Sequence, residues 1–162
     1  MRSNAIRLGV IGAGNMGEAI LRGYLTSGYA ASDKTAVYDP DTEKCRALER
    51  DLGVGVADSL ASLIEKSDLL LIAVKPYVCT HLFEEQFDRF ANKAVVSIAA
   101  GWGGERLKKA LPASTRVLRV MPNTPAMIGE GMIVFESGDS LTTEEHAFCE
   151  TLFGSVGDVI SV

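Results

Sequence analysis

The run Ile6-Arg-Leu-Gly-Val-Ile-Gly-Ala-Gly-Asn-Met-Gly-Glu-Ala-Ile-Leu21 constrains the fold more than any other stretch, because it reads as a buried strand, a glycine turn and the opening of a helix. Ile6, Leu8, Val10 and Ile11 form a mostly apolar, partly β-branched run, the pattern of a central parallel strand covered on both faces. Gly12-Ala13-Gly14-Asn15-Met16-Gly17 then fits G-x-G-x-x-G. In that pattern the first glycine permits a tight turn, the second lets the backbone approach a pyrophosphate, and the third lets helix pack on strand. The anion is expected on the helix N-terminus, where unpaired N–H groups and the helix dipole favour a diphosphate without a basic side chain. Glycine turns also join strands to helices for steric reasons alone. Here the motif opens a helix carrying Met16, Ala19, Ile20, Gly23 and Tyr24, with Gly28 as its stop, and a second strand ends in an acid about twenty residues on, the context in which the motif binds a dinucleotide.

That second strand is Lys34 to Asp39, closed by Pro40; Asp41 can cap a helix running to about Leu52, with Gly53 as its stop. Asp39 stands where a carboxylate accepts hydrogen bonds from the adenosine ribose hydroxyls and repels a 2′-phosphate, which favours NAD over NADP. A turn or N-cap aspartate is the competing reading of the same residue. Gly53 to Val56 reads as a short third strand, followed by a helix with Asp58 as cap and Leu60, Leu63 and Ile64 on its apolar side. The most apolar run, Asp68 to Val74, then meets Lys75-Pro76. Proline forbids the strand's continuation and suits the first turn of a helix, so Lys75 is expected at the carboxyl end of a central strand, the edge where doubly wound sheets bind ligands. A solvated loop lysine is the alternative.

Leu82, Phe83, Phe87 and Phe90 recur at helical spacing and are expected in the core, with Glu84, Glu85, Asp88 and Arg89 outside. Ala94 to Gly101 is a further strand running into small residues, where a ligand can lie against the backbone, and Trp102 after it is read as a packing residue rather than a lid. A short helix from Glu105 to Leu111 stops at Pro112, and a strand from Thr115 to Met121 enters the restrained loop Pro122-Asn-Thr-Pro125. Met132 to Phe135 is a strand, Thr142 with Glu145 a capping box that opens a helix with Phe148, Leu152 and Phe153 on one side, and the end of the chain a last short strand. Alternating strands and helices predict one α/β domain over residues 1–162, with a Rossmann-like doubly wound, mostly parallel sheet and helices on both faces.

Net charge is −5, without a basic patch for nucleic acid or an anionic membrane, and no apolar run approaches the ~18 residues of a bilayer span. The N-terminus reaches a glycine turn after a few apolar residues, so no secretory signal is expected and a cytoplasmic location is. Cys45, Cys79 and Cys149 are widely spaced and lack C-x-x-C pairing, which reads as reduced thiols packed as small apolar groups and not as a metal site. His81 and His146 have no ligand-spaced partner and are expected on helix surfaces.

Gly12-Ala-Gly-Asn-Met-Gly17, Ala73-Val-Lys-Pro76, Ser97-Ile-Ala-Ala-Gly101 and Arg119-Val-Met-Pro-Asn-Thr-Pro-Ala126, in this order, resemble the pyrroline-5-carboxylate reductases over nearly the whole chain. The resemblance implies the reduction of the small-molecule substrate 1-pyrroline-5-carboxylate to L-proline, with hydride passing from NADPH or NADH to the C=N carbon. It implies that Gly12 to Gly17 hold the pyrophosphate, that Ala73, Val74, Lys75 and Pro76 together with Ala99, Ala100 and Gly101 line the nicotinamide half, and that Asn123 and Thr124 border the imine. It further implies a C-terminal helical domain that makes the full-length protein a homo-oligomer and supplies a hydroxyl near the imine nitrogen; that domain is not in these 162 residues, so the chain is expected to be a fragment that is inactive alone, with no general acid beyond Lys75. Two departures bear on cofactor choice. Tyr38-Asp39-Pro40-Asp41 stands where the family carries small or basic residues for a 2′-phosphate, and Ser59-Leu60 where many members have an asparagine. A related β-hydroxyacid or F420-linked NADP reductase fits Met121 to Pro125 poorly, and a stand-alone nicotinamide-nucleotide-binding module is the alternative of another class.

Overall fold

The computed structural model describes residues 5–162, so the first four residues of the expected domain lie outside it. Among the described residues eight strands form one sheet in the order β3-β2-β1-β4-β5-β6-β7-β8. The left half is built from β1 (Leu8–Ile11), α1 (Asn15–Thr26), β2 (Thr35–Tyr38), α2 (Thr42–Leu52) and β3 (Gly55–Val56). The centre follows with α3 (Leu60–Lys66), β4 (Leu69–Ile72), α4 (Pro76–Glu85), β5 (Ala94–Ser97), α5 (Gly104–Ala110) and β6 (Arg116–Met121). Then β7 (Gly131–Phe135), α6 (Thr143–Gly154) and β8 (Gly157–Ser161) close the chain. All neighbours from β3 to β6 pair parallel, β7 runs antiparallel to β6, and β8 is parallel to β7.

Why the central strands are so apolar follows from the layers. All four side chains of β4 are fully buried, Leu69 and Leu71 toward one face, Leu70 and Ile72 toward the other. The first face packs on α1, α2 and α6 through Ile20, Leu21, Leu48, Phe148, Leu152 and Phe153. The second packs on α3, α4 and α5 through Leu63, Ile64, Leu82, Phe83 and Leu107. Each such leucine or phenylalanine contributes about 1.5–3 kcal/mol of transfer free energy when fully buried. Helix ends follow local chemistry: Asp41 caps α2 by accepting from the Lys44 N–H, Gly53 ends it at φ 74°, and Gly28 follows the last residues of α1 at φ 87°.

Three expectations are corrected. The cap of α3 is Ser59, whose hydroxyl accepts from the Ser62 N–H, and not Asp58 one residue earlier. Phe87 is 40% exposed and lies outside the core, because α4 ends at Glu85 and Phe87–Phe90 form a tighter 3₁₀ turn that brings Phe90 inward and Gln86 under cover. His146 is half-buried rather than on an open surface, edge-on to Phe135 and between Asp139 at 3.6 Å and Glu150 at 3.7 Å.

The Thr142–Glu145 capping box forms as expected, and Glu145 also clamps the sheet: its two carboxylate oxygens accept from Arg116 Nε at 2.8 Å and Nη2 at 2.7 Å. Burial works against its charge, but the hydrogen bonds from Arg116 and from Thr142 prevail and hold the carboxyl below the usual glutamate range. A depressed folded pKa adds stability above the unfolded value, about 4.3, and loses it as pH falls through the folded one. Glu145→Gln, which keeps the capping oxygen, is therefore expected to lose about 1–2 kcal/mol near neutral pH. The gap to the parent protein should close in strong acid; urea unfolding curves that keep the same gap at both pH values would refute this.

Candidate functional site

The carboxyl ends of β1, β4, β5 and β6 open into a cleft of about 630 Å³. It lies at the switch point of the sheet, where the crossover from β1 leads to β2 on one side and that from β4 leads to β5 on the other. A larger hollow of about 690 Å³ sits near Arg7, Lys34 and Ser67, by the amino ends of β1 and β2. The end of the sheet that gathers the loops after successive strands is the one that carries the glycine turn, and the smaller cleft is the functional candidate.

The three glycines of the turn meet three different surroundings. Gly12 has φ +109°, and a Cβ on it would lie 2.6 Å from the Ala73 carbonyl oxygen. Gly17 sits on α1 with its absent Cβ 2.7 Å from the Gly12 carbonyl oxygen, the close approach of helix to strand. A Cβ on Gly14 would meet nothing within 4 Å, because this residue faces the cleft. Gly14 is also the N-cap of α1 and offers no side chain to its amides, so the first N–H groups of a twelve-residue helix face the cleft uncapped. An unfilled cradle over an uncapped helix end fits a diphosphate, and the residues present are suited to that group.

Around this turn the structure places most of the sequence candidates on one wall or the other. Gly12, Gly14, Asn15, Met16 and Asp39 line the cleft on one side; Ala73, Val74, Lys75, Pro76, Ala99 and Ala100 line it on the other. Ala13 and Gly17 are buried behind the turn, and Gly101 is exposed at φ 79°, its carbonyl accepting from Arg106. Asn123 and Thr124 stand outside the cleft wall: Asn123 Oδ1 accepts from the Met132 N–H at 2.9 Å and ties its loop to β7, while the neighbouring Pro122 and Met127 reach the cleft. Sequence reading missed Lys44, Val78, Ile98 and Met127, which join the wall through packing of α2, α4 and two loops. A cation in the first turn of the helix after β2 was the one available signal, for Lys44.

Asp39 takes the turn role and also lines the cleft. Its Oδ2 accepts from the Ala13 N–H and its Oδ1 from the Asp41 N–H, each at 2.8 Å, so it is a turn aspartate that also faces the cleft. On the opposite wall Lys75 is the N-cap residue of α4 with Pro76 at its first position. The loops after β4 and β5 are stapled together by Trp102, buried at 3% exposure, whose Nε1–H donates to the Pro76 carbonyl at 3.2 Å. Arg106 lies over the indole, 3.8 Å from its centroid.

Two thiols back the cleft walls. Burial pushes Cys45 up, with Asp39 and Asp41 adding to that against a hydrogen bond to the Asp39 carbonyl, and burial pushes Cys79 up to about 11. Both stay protonated near neutral pH and serve as packing, not as nucleophiles. Among the described residues no group of three or more His, Cys, Asp or Glu is placed to hold a metal, and no helix is long and apolar enough to cross a membrane.

Comparison with known proteins extends the picture beyond geometry. The family model described as NADP oxidoreductase, coenzyme F420-dependent, matches residues 7–101. The chain is similar to the pyrroline-5-carboxylate reductase of Haemophilus influenzae, 38% identical over 156 residues that cover 94% of this chain and 56% of that protein. It superposes on the structure of a pyrroline-5-carboxylate reductase from Coxiella burnetii with a TM-score of 0.91 at 26% identity, covering 98% of this chain and 59% of that one. An imine reductase from Myxococcus stipitatus in complex with NADP+ gives a TM-score of 0.77 at 26% identity, over 95% of this chain and 54% of that one. The chain thus spans about half the length of the curated relatives it matches. The family model stops at Gly101, upstream of Met121 to Pro125, whereas the match to the Haemophilus protein takes in nearly the whole chain.

Proposed function

The chain belongs to the NADP oxidoreductase, coenzyme F420-dependent family, whose model matches more than half of it, and from that premise we propose that it is the cofactor-binding part of a pyrroline-5-carboxylate reductase that uses NADPH or NADH. The single observation that carries the reading is the uncapped N-terminus of α1 beneath the open space at Gly14, at the switch point of a parallel sheet. Similarity to pyrroline-5-carboxylate reductases over 94% of the chain supports pyrroline-5-carboxylate as the substrate of the whole protein.

Within that reading each wall has a task. Backbone amides at Gly14, Asn15 and Met16 bind the diphosphate, Gly12 and Gly17 let the turn and helix close up beneath it, and Asp39 accepts from the adenosine ribose. Ala73 to Pro76 with Ala99 and Ala100 form the seat for the nicotinamide, Gly101 closing the loop beside it, and the three alanines allow a ring to lie on the backbone. Val78, Ile98 and Met127 exclude water from it. When bound, the reduced nicotinamide supplies the hydride. Lys75, the one ionisable side chain on that half of the described wall, orients the cofactor by its charge. Asn123 and Thr124 position the loop that borders the imine, with Pro122 and Met127 at its inner edge. Protonation at the imine nitrogen and oligomerisation are assigned to the part of the relatives' length beyond this chain. The full protein is placed in the cytoplasm, where three unpaired, buried thiols persist.

Titration of the purified 162 residues with NADPH and NADH, followed by cofactor fluorescence, tests the reading. One reduced dinucleotide is expected per chain, with no reduction of pyrroline-5-carboxylate above background. A cleft that stays empty at saturating coenzyme overturns the cofactor assignment, and robust turnover overturns the division of labour between this part and the rest.

A further inference from the structure

The glycine turn does not hold its shape alone. Gly12 sits at φ +109°, and such a conformation persists where its surroundings over-determine it. Three bonds do so here: the Gly12 N–H donates to the Tyr38 carbonyl at 2.9 Å, the Ala73 N–H donates to the Ile11 carbonyl at 2.8 Å, and the Ala13 N–H donates to Asp39 Oδ2 at 2.8 Å. Only the last uses a side chain. Ala13 is 1% exposed, so in the intact turn its N–H is satisfied by Asp39 and not by bulk water, and losing the carboxylate removes the one side chain that fixes it. The second Asp39 oxygen is fixed by the Asp41 N–H, so the carboxylate is gripped from both sides and cannot swing away. Yet a carboxylate has about four acceptor sites, and these two bonds use one on each oxygen. The remaining lone pairs are free for donors in the cleft that Asp39 lines.

We propose that Asp39 is a bridge: the same carboxylate that meets the adenosine ribose holds the glycine turn in its diphosphate-binding shape, so affinity for the diphosphate itself, and not only the choice between NADH and NADPH, depends on it. This rests on the reading of the cleft as a dinucleotide site. A residue that only selects for the ribose would matter solely to ligands that carry ribose hydroxyls. The bridge matters to any diphosphate seated on α1.

The discriminating probe is ADP against 2′,3′-dideoxy-ADP, measured by calorimetry or by displacement of NADH. Asp39→Ala is expected to weaken 2′,3′-dideoxy-ADP about tenfold, the effect of one lost charge-assisted hydrogen bond, and ADP by more, because ADP also loses its ribose contacts to the carboxylate. Asp39→Ser, whose hydroxyl is too short to reach Ala13, should show the same loss and stands in if the alanine variant fails to fold. Asp39→Asn keeps one oxygen where the carboxylate uses two, so its amide nitrogen faces either the Ala13 or the Asp41 N–H, and it is expected to weaken the dideoxy ligand as well. If the alanine or serine variant binds 2′,3′-dideoxy-ADP as the parent does, the bridge is wrong and Asp39 reads the ribose alone. A parent protein that binds neither ADP nor NADH overturns the dinucleotide site itself, and the bridge with it.

Discussion

Gly14→Val is expected to leave the protein folded and to weaken its binding of NADPH and NADH at least about a hundredfold, a change of about 2.7 kcal/mol. The backbone at Gly14, with φ −71° and ψ −176°, is open to any L-residue, and the added Cβ meets no protein atom within 4 Å. Replacing a glycine N-cap by valine costs α1 about 1 kcal/mol at most. The branched methyls would instead fill the space between the helix amides and the place of the diphosphate. Gly12 and Gly17 cannot serve the same test, because their Cβ atoms would run into backbone oxygens at 2.6 and 2.7 Å and damage the fold first. A thermal melt paired with a cofactor titration checks the outcome; a folded Gly14→Val protein with parental affinity removes the glycine turn from the site.

Trp102→Ala is expected to destabilise the protein by about 3–5 kcal/mol, the usual range for deleting a buried aromatic side chain. The indole is buried edge-on against Phe83, with centroids 5.2 Å apart, and it carries the one side-chain hydrogen bond described between the loops after β4 and β5. Trp102→Phe should retain much of the packing, lose the bond to the Pro76 carbonyl and fall between the two. Urea unfolding decides the matter: a loss under about 1 kcal/mol for the alanine variant would show that the loops are held elsewhere.

Features written within one or two helical turns were legible in the amino-acid order. The strand, glycine turn and helix at Leu8 to Tyr24, the Asp41 cap with the Gly53 stop, the Thr142–Glu145 capping box and the four apolar residues of β4 each rest on neighbours in sequence. What escaped depends on where one element ends and what it then touches. Asp58 and Ser59 are both good caps, and only the path into α3 chooses between them. Phe87 kept helical spacing with Phe83 and Phe90, but the change to a 3₁₀ turn after Glu85 alters the rotation per residue and turns it outward. The antiparallel entry of β7 had a local clue in residues 122–130, a connection too short for the crossover of a dozen or more residues that a parallel partner needs. At the site, the strand-end positions of Asp39, Lys75 and Ala99 could be inferred one by one. The wall contributed by Val78 and Met127 could not, since it arises from elements that meet only when the sheet is assembled.

The placement of the three cysteines has a practical side. Cys45 and Cys149 belong to the apolar layer beneath α2 and α6, Cys79 to the layer beneath α4 on the reverse side of the sheet. Each is sealed from solvent, and burial keeps every one of them in the sluggish protonated form. A thiol reagent can therefore reach them only while the covering helix is transiently lifted, so the native sequence already contains independent clocks for breathing on the two sides, with no engineered label required.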